Sequence, residues 1–209
     1  MKRTGQLLRF IAAATLLTAN LWASSPESRG GESQSPEEVS VYVVEACPVN
    51  IAVRLAAESI VAKLYARIGV RLWFANTRPR QANADFISLR LLDRAPDTFR
   101  YNVLGSALIE NHRGLMALVF CDRLSRFYEP RDAREMAMLL GYAMTHEIGH
   151  LLEGEPRHSA AGIMKAGWTP SDMRVMSQNG MGFDSNDAAR IHRGLAARRS
   201  TEARLARRN

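Results

Sequence analysis

Apolar and polar positions alternate along this chain in a way that predicts short strands gathered ahead of one long helix. Val39-Ser40-Val41-Tyr42-Val43-Val44 is a β-branched run and predicts a first strand. Residues 49–68 carry Ile51, Leu55, Ile60 and Leu64 at helical spacing, with Pro48 and Asn50 marking the start. Gly69 stops that helix, and 70–74 predicts a second strand; 85–92 predicts a third. Residues 94–105 read as loop. Residues 106–111 and 115–121 predict two strands joined by a turn at His112-Arg113-Gly114. Residues 184–197 predict a final helix, capped by Asp184 or Ser185. No internal repeat is visible.

The longest periodic segment is 130–153. Pro130 suits the first helical position, and Asp132 and Glu135 favour the positive end of the helix dipole. Ala137, Leu140, Met144, Ile148, Leu151 and Leu152 form a wide apolar face. At about 100° per residue that face lies opposite His146 and His150. Gly154 predicts the C-terminal cap, and Pro156 forbids continuation. The chain must reverse there, which brings His158 back toward the helix. Strand, helix, two strands, a hairpin and then a long helix predict an α+β fold, a mixed sheet with helices packed against it.

The chemistry concentrates at His146-Glu147-Ile148-Gly149-His150. Two His four residues apart lie one turn apart on a helix, so both rings can reach one metal ion. Glu147 flanks them and can reach a water beside the metal without being a ligand itself. Three of the five histidines, His146, His150 and His158, fall within thirteen residues. A catalytic zinc uses three protein ligands plus water, so a third donor must follow. His158, arriving from another direction, is favoured. Glu153 shares the helical stripe but lies about 10 Å along the axis from His146, and reads instead as a solvated charge. Asp172 and Asp184 are the downstream carboxylates of a rival reading.

The run from His146 to Ser159, followed by Gly162-Ile163-Met164, resembles the metzincin metallopeptidases, with the His-Ser pair and the Ile-Met most like the matrixin branch. The resemblance implies zinc bound by His146, His150 and His158, with Glu147 as general base. It also implies Gly154 as the turn glycine and Met164 in a Met-turn beneath the metal. One extra residue precedes the glycine and another separates it from His158, so those two correspond by role and not by register. No Tyr follows Met164 where some branches place one. The implied fold is a twisted sheet, mostly parallel with one antiparallel edge strand. It carries two long helices and ends in a small C-terminal lobe with the Met-turn and a final helix. Residues 106–111 would then be the edge strand above the cleft, able to bind a peptide by strand addition.

Composition adds a compartment. A basic start (Lys2, Arg3, Arg9) precedes an apolar run from Phe10 to Ala23 and the Ala23-Ser24-Ser25 pattern, which reads as a cleavable signal peptide. The run is too short for a comfortable membrane span, which takes about 20 residues. Location is therefore expected to be secreted or periplasmic, where a Cys47–Cys121 disulfide is plausible; sequence leaves that pairing open. The formal charge of +7 resides in the leader and in an Arg-rich end, leaving the body near neutral. No nucleic-acid surface is indicated. Hydrophobic residues make up 46%, enough for a sizeable core.

The expected organisation is a signal peptide at 1–23, a flexible linker at 24–38, a catalytic domain at 39–197 and a basic tail at 198–209. The domain divides into an upper lobe (39–154) and a lower lobe (155–197). His112 and His192 are expected to be surface or satisfied structural residues, and Trp168 to pack under the site or line its mouth. The expected protein is a monomeric zinc endopeptidase acting on peptides or proteins. A non-catalytic, zinc-stabilised peptide-binding protein is the alternative.

Overall fold

Alternating burial in three strands builds the base of the molecule. The computed structural model describes residues 36–78 and 85–208; the expected leader at 1–23 and the linker through residue 35 lie outside the described residues. In β1 (Glu37–Ala46), Val39, Val41 and Val43 are buried between more exposed neighbours. In β3 (Phe86–Leu92) Ile87, Leu89 and Leu91 do the same, as do Val70 and Leu72 of β2 (Val70–Ala75). With β4 (Gly105–Glu110) and β5 (Arg113–Phe120) these form one five-stranded sheet in the order β2-β1-β3-β5-β4. The pairs β1–β2, β1–β3 and β3–β5 are parallel, and β4 lies antiparallel to β5 at the edge. The β4–β5 turn is Asn111-His112, one residue earlier than the sequence predicts. Both residues have positive φ (49° and 59°), the geometry of a two-residue hairpin turn.

Among the described residues the chain forms five helices: α1 (Ile51–Ala66), α2 (Cys121–Tyr128), α3 (Ala133–Glu153), α4 (Pro170–Ser177) and α5 (Ser185–Ala206). Helix α3 begins after Asp132, whose carboxylate accepts from the Glu135 amide at 2.8 Å; Pro130 lies ahead of this cap, not inside the helix. It ends at Gly154, left-handed at φ 73°, whose amide donates to the His150 carbonyl. From Leu139 to Glu153 every residue of α3 is buried, because α1, α5, β4 and β5 all pack against it. Cys47 and Cys121 are joined by a disulfide across a Cα separation of 6.1 Å, tying the end of β1 to the start of α2.

Helix α5 runs beyond residue 197. Arg198, expected in a solvated tail, is buried and donates to the carbonyls of Gly114 and Phe86. Arg199 binds Asp85 and Glu37. The last basic turns therefore clamp the starts of the three inner strands, β1, β3 and β5. His192 joins this clamp, its two ring nitrogens facing the Glu37 carboxylate and the Ile68 carbonyl.

Candidate metal centre

Helix α3 delivers His146, Glu147 and His150 into a cleft of about 550 Å³ that lies along β4. The opposite wall is the irregular chain after Gly154, which returns His158. The ring centroids of His146, His150 and His158 lie 4.7 to 5.3 Å apart. One nitrogen from each ring lies within 4.8 Å of the other two.

Outer contacts fix how two of these rings face. Nδ1 of His146 lies 2.8 Å from the Ile163 carbonyl, and Nδ1 of His150 lies 3.1 Å from the Glu155 carbonyl. A carbonyl only accepts, so each Nδ1 carries the proton and donates. The two Nε2 atoms are then lone-pair acceptors, and they face each other at 3.1 Å. Two acceptors at that distance repel unless a cation lies between them. Two nitrogens each 2.0–2.1 Å from a tetrahedral ion would be about 3.3 Å apart. The donor set therefore fits a divalent metal.

Glu147 enters the same cleft from the next helical position. It is 6% exposed and buried against the first residue of β4. That residue is Gly105, and a Cβ there would fall 2.5 Å from Glu147 Oε1 and 2.7 Å from its Cγ. The edge strand thus leaves room for the carboxylate by lacking a side chain. Gly149 performs a similar service beneath the helix, where a Cβ would meet Met164 Sδ at 2.6 Å. Met164 is fully buried, and the turn that carries it begins at Gly162 with φ 75°. Trp168 stands edge-on to His146 with ring centroids 5.9 Å apart and lines the cleft.

Burial acts against charge on all these groups. It holds His146 down to about 4. Burial and the neighbouring His146 and His158 rings hold His150 down to about 3. It also lowers the more exposed His158. The rings are therefore neutral at physiological pH, the form a metal requires. Burial pushes the Glu147 carboxyl up to about 8.

These shifts make the stability of the metal-free protein depend on pH. An unfolded Glu147 releases its proton near 4.5, the folded one only near 8, so stability falls as pH rises through that window. The His rings act in the opposite sense: unfolded rings take up protons below 6.5 that folded His146 and His150 refuse, so acid destabilises as well. Between 4.5 and 6.5 the two effects oppose each other, and above 6.5 the carboxyl dominates. The melting temperature of metal-free protein is expected to drop between pH 6.5 and 8, and a divalent cation to flatten that slope by favouring ionised Glu147. Thermal melts with chelator and with added zinc across this range check both; a flat metal-free profile contradicts the first.

The remaining candidates lie elsewhere. Glu153, expected to be solvated, has a side chain only 1% exposed and faces Arg190 of α5. Asp172 pairs with Lys165 and closes the capping box of α4. Asp184 caps α5. None of the three joins the His group. Sequence reasoning overlooked Gly105, which only the close approach of Glu147 reveals. It also overlooked α2, whose Tyr128 lines the cleft with its hydroxyl against the Trp168 backbone. Arg123, on the same helix, donates to the carbonyls of Phe99, Arg100 and Val103 and shapes the loop leading into β4.

No protein-family model matches this sequence, and no curated protein does. Solved structures do match. One is archaemetzincin from Methanopyrus kandleri, 14% identical, with 78% of this chain and 98% of that one covered and a TM-score of 0.49. Another is a zinc-dependent peptidase from Methanocorpusculum labreanum, 13% identical, with 72% and 99% covered and a TM-score of 0.52. At that identity the second likeness is one of fold: this chain has the fold of a zinc-dependent peptidase.

Proposed function

We propose that this protein is a zinc-dependent endopeptidase of the metzincin type, matrixin-like in its His158-Ser159 pair and Ile163-Met164, acting outside the cytoplasm. The observation that carries the reading is the pair of Nε2 acceptors facing each other at 3.1 Å, with His158 beside them and the Glu147 carboxyl in the same cleft. His146, His150 and His158 would hold the ion. Zinc held there supplies a Lewis acid for a carbonyl oxygen and brings a water's pKa toward about 7. Glu147 takes the proton from the attacking water and passes it to the departing amine. A cation beside Glu147 favours its ionised form, the form that accepts the proton.

The chain's other residues place the peptide. Strand β4 is the sheet's edge, and its Ser106 and Ala107 line the cleft, so an extended peptide can pair with its backbone. Zinc-dependent peptidase activity in a protein of the same fold supports the reaction class. The leader-like residues 1–23 and the Cys47–Cys121 disulfide support an oxidising location.

A non-catalytic zinc-stabilised binding protein would need no carboxyl beside the metal, and burying Glu147 there costs free energy. Elemental analysis and digestion of a broad peptide library, read by mass spectrometry, separate the readings. One zinc per chain and chelator-sensitive cleavage at internal bonds are expected. Zinc without cleavage would favour the binding protein, and absence of zinc would overturn both.

A further inference from the structure

Two of the three converging rings are fixed by hydrogen bonds of their own, and the third is not. His146 and His150 donate to backbone carbonyls. His158 is exposed, and among the described residues no hydrogen bond holds its ring. Beyond its contacts with the other two rings, its place comes from its backbone, which follows Gly154 without regular structure.

The next residue supplies the anchor. The Ser159 amide donates to the Met164 carbonyl at 2.7 Å, linking it to the turn below the helix. The Ser159 hydroxyl donates to Asp187, in the first turn of α5. Arg190, one turn further along α5, donates to the Ser159 hydroxyl at 3.0 Å and also pairs with Asp187. The Arg190 Nε lies 3.6 Å from Glu153 at the end of α3. Asp187 is fully buried, and Arg190 is only 13% exposed.

This cluster does more than join two helices. Asp187 and Arg190 could neutralise each other without Ser159, and a buried ion pair is weak evidence for stability in itself. What the serine adds is a rigid link from α5 to the residue that carries the third ring. Outer partners of metal ligands commonly act this way, orienting the donor without touching the ion.

We propose that Asp187 and Arg190 are positioning residues that hold His158 in its ligand place through the Ser159 hydroxyl. The inference rests on the zinc reading above. The test measures zinc affinity by titrating zinc chloride against a chromophoric chelator, for wild type, Ser159→Ala, Asp187→Ala and the double variant. Each single change is expected to weaken zinc binding about 10–100-fold. The double variant is expected to lose no more than Ser159→Ala, because that change alone already removes the ties to both Asp187 and Arg190. Ser159→Thr, which keeps the hydroxyl, should bind nearly as wild type does.

Melting of the metal-free proteins provides the control. Ser159 is only half-buried, so Ser159→Ala should melt close to wild type while its zinc affinity falls. If Asp187→Ala does not fold, the Ser159→Ala and Ser159→Thr pair still decides. Wild-type affinity in Ser159→Ala, or losses that simply add in the double variant, would overturn the proposal and leave the zinc reading standing. A wild-type protein that binds no zinc would remove that reading and this one with it.

Discussion

Replacing Glu147 with glutamine is expected to leave zinc content and fold unchanged while lowering turnover about 10²–10⁴-fold, the usual worth of a positioned general base. Glutamine has the same shape and fits the same space against Gly105. It cannot accept a proton at neutral pH. The buried carboxyl itself is not a strong stabilising element, since burial disfavours its charged form and pushes it up to about 8. The variant should therefore fold at least as well as wild type. Peptide hydrolysis rates with zinc stoichiometry measured on the same sample check this. Undiminished turnover would remove Glu147 from the mechanism. Gly105→Ala approaches the same group from the other side. A Cβ there would fall 2.5 Å from Oε1 and 2.6 Å from the Leu118 carbonyl of β5, so the carboxylate and the edge-strand backbone must shift and turnover should fall although no reacting residue has changed.

The metal helix was legible because its signals are local. Asp132, Gly154 and the apolar repeat between them each act within a turn or two, and His146 and His150 need only helical spacing to converge. The strands were legible for the same reason: Val39, Val41 and Val43 alternate, and so do Ile87, Leu89 and Leu91. What escaped depends on contacts distant in sequence. Cys121–Tyr128 is only two turns of mostly polar residues directly after an apolar strand, too short for a helical repeat to be read, and it is held by packing on α3 and by the disulfide to Cys47. Arg198 looks like one more charge in a basic tail until the carbonyls of Gly114 and Phe86 come within reach. Glu153 looks solvated because its partner, Arg190, lies 37 positions away. At the centre itself the sequence named all three rings. It contained nothing to say that Ser159 is tied to Asp187, and that tie bears on the one proposed ligand whose spacing departs from the metzincin pattern.

That departure makes His158→Ala the sharpest test of the coordination set. Zinc affinity is expected to fall by more than about 100-fold, beyond the 10–100-fold typical of outer-partner losses, and chelator-sensitive cleavage to disappear. The three carboxylates considered as replacements are all committed elsewhere. Asp172 is held by Lys165 and by the Thr169 amide and hydroxyl. Asp184 accepts the Asp187 amide at the start of α5, and Glu153 faces Arg190 on the far side of the Ser159 link. With two rings left, the pair of Nε2 atoms still attracts a cation, but the three-donor site that keeps a fourth position for water is gone. The exposed His158 ring supports no core packing, so the metal-free variant should melt as wild type does and the loss can be assigned to the metal. Retained zinc affinity would transfer the third position to a carboxylate, and retained affinity with retained turnover would exclude His158 from the centre altogether.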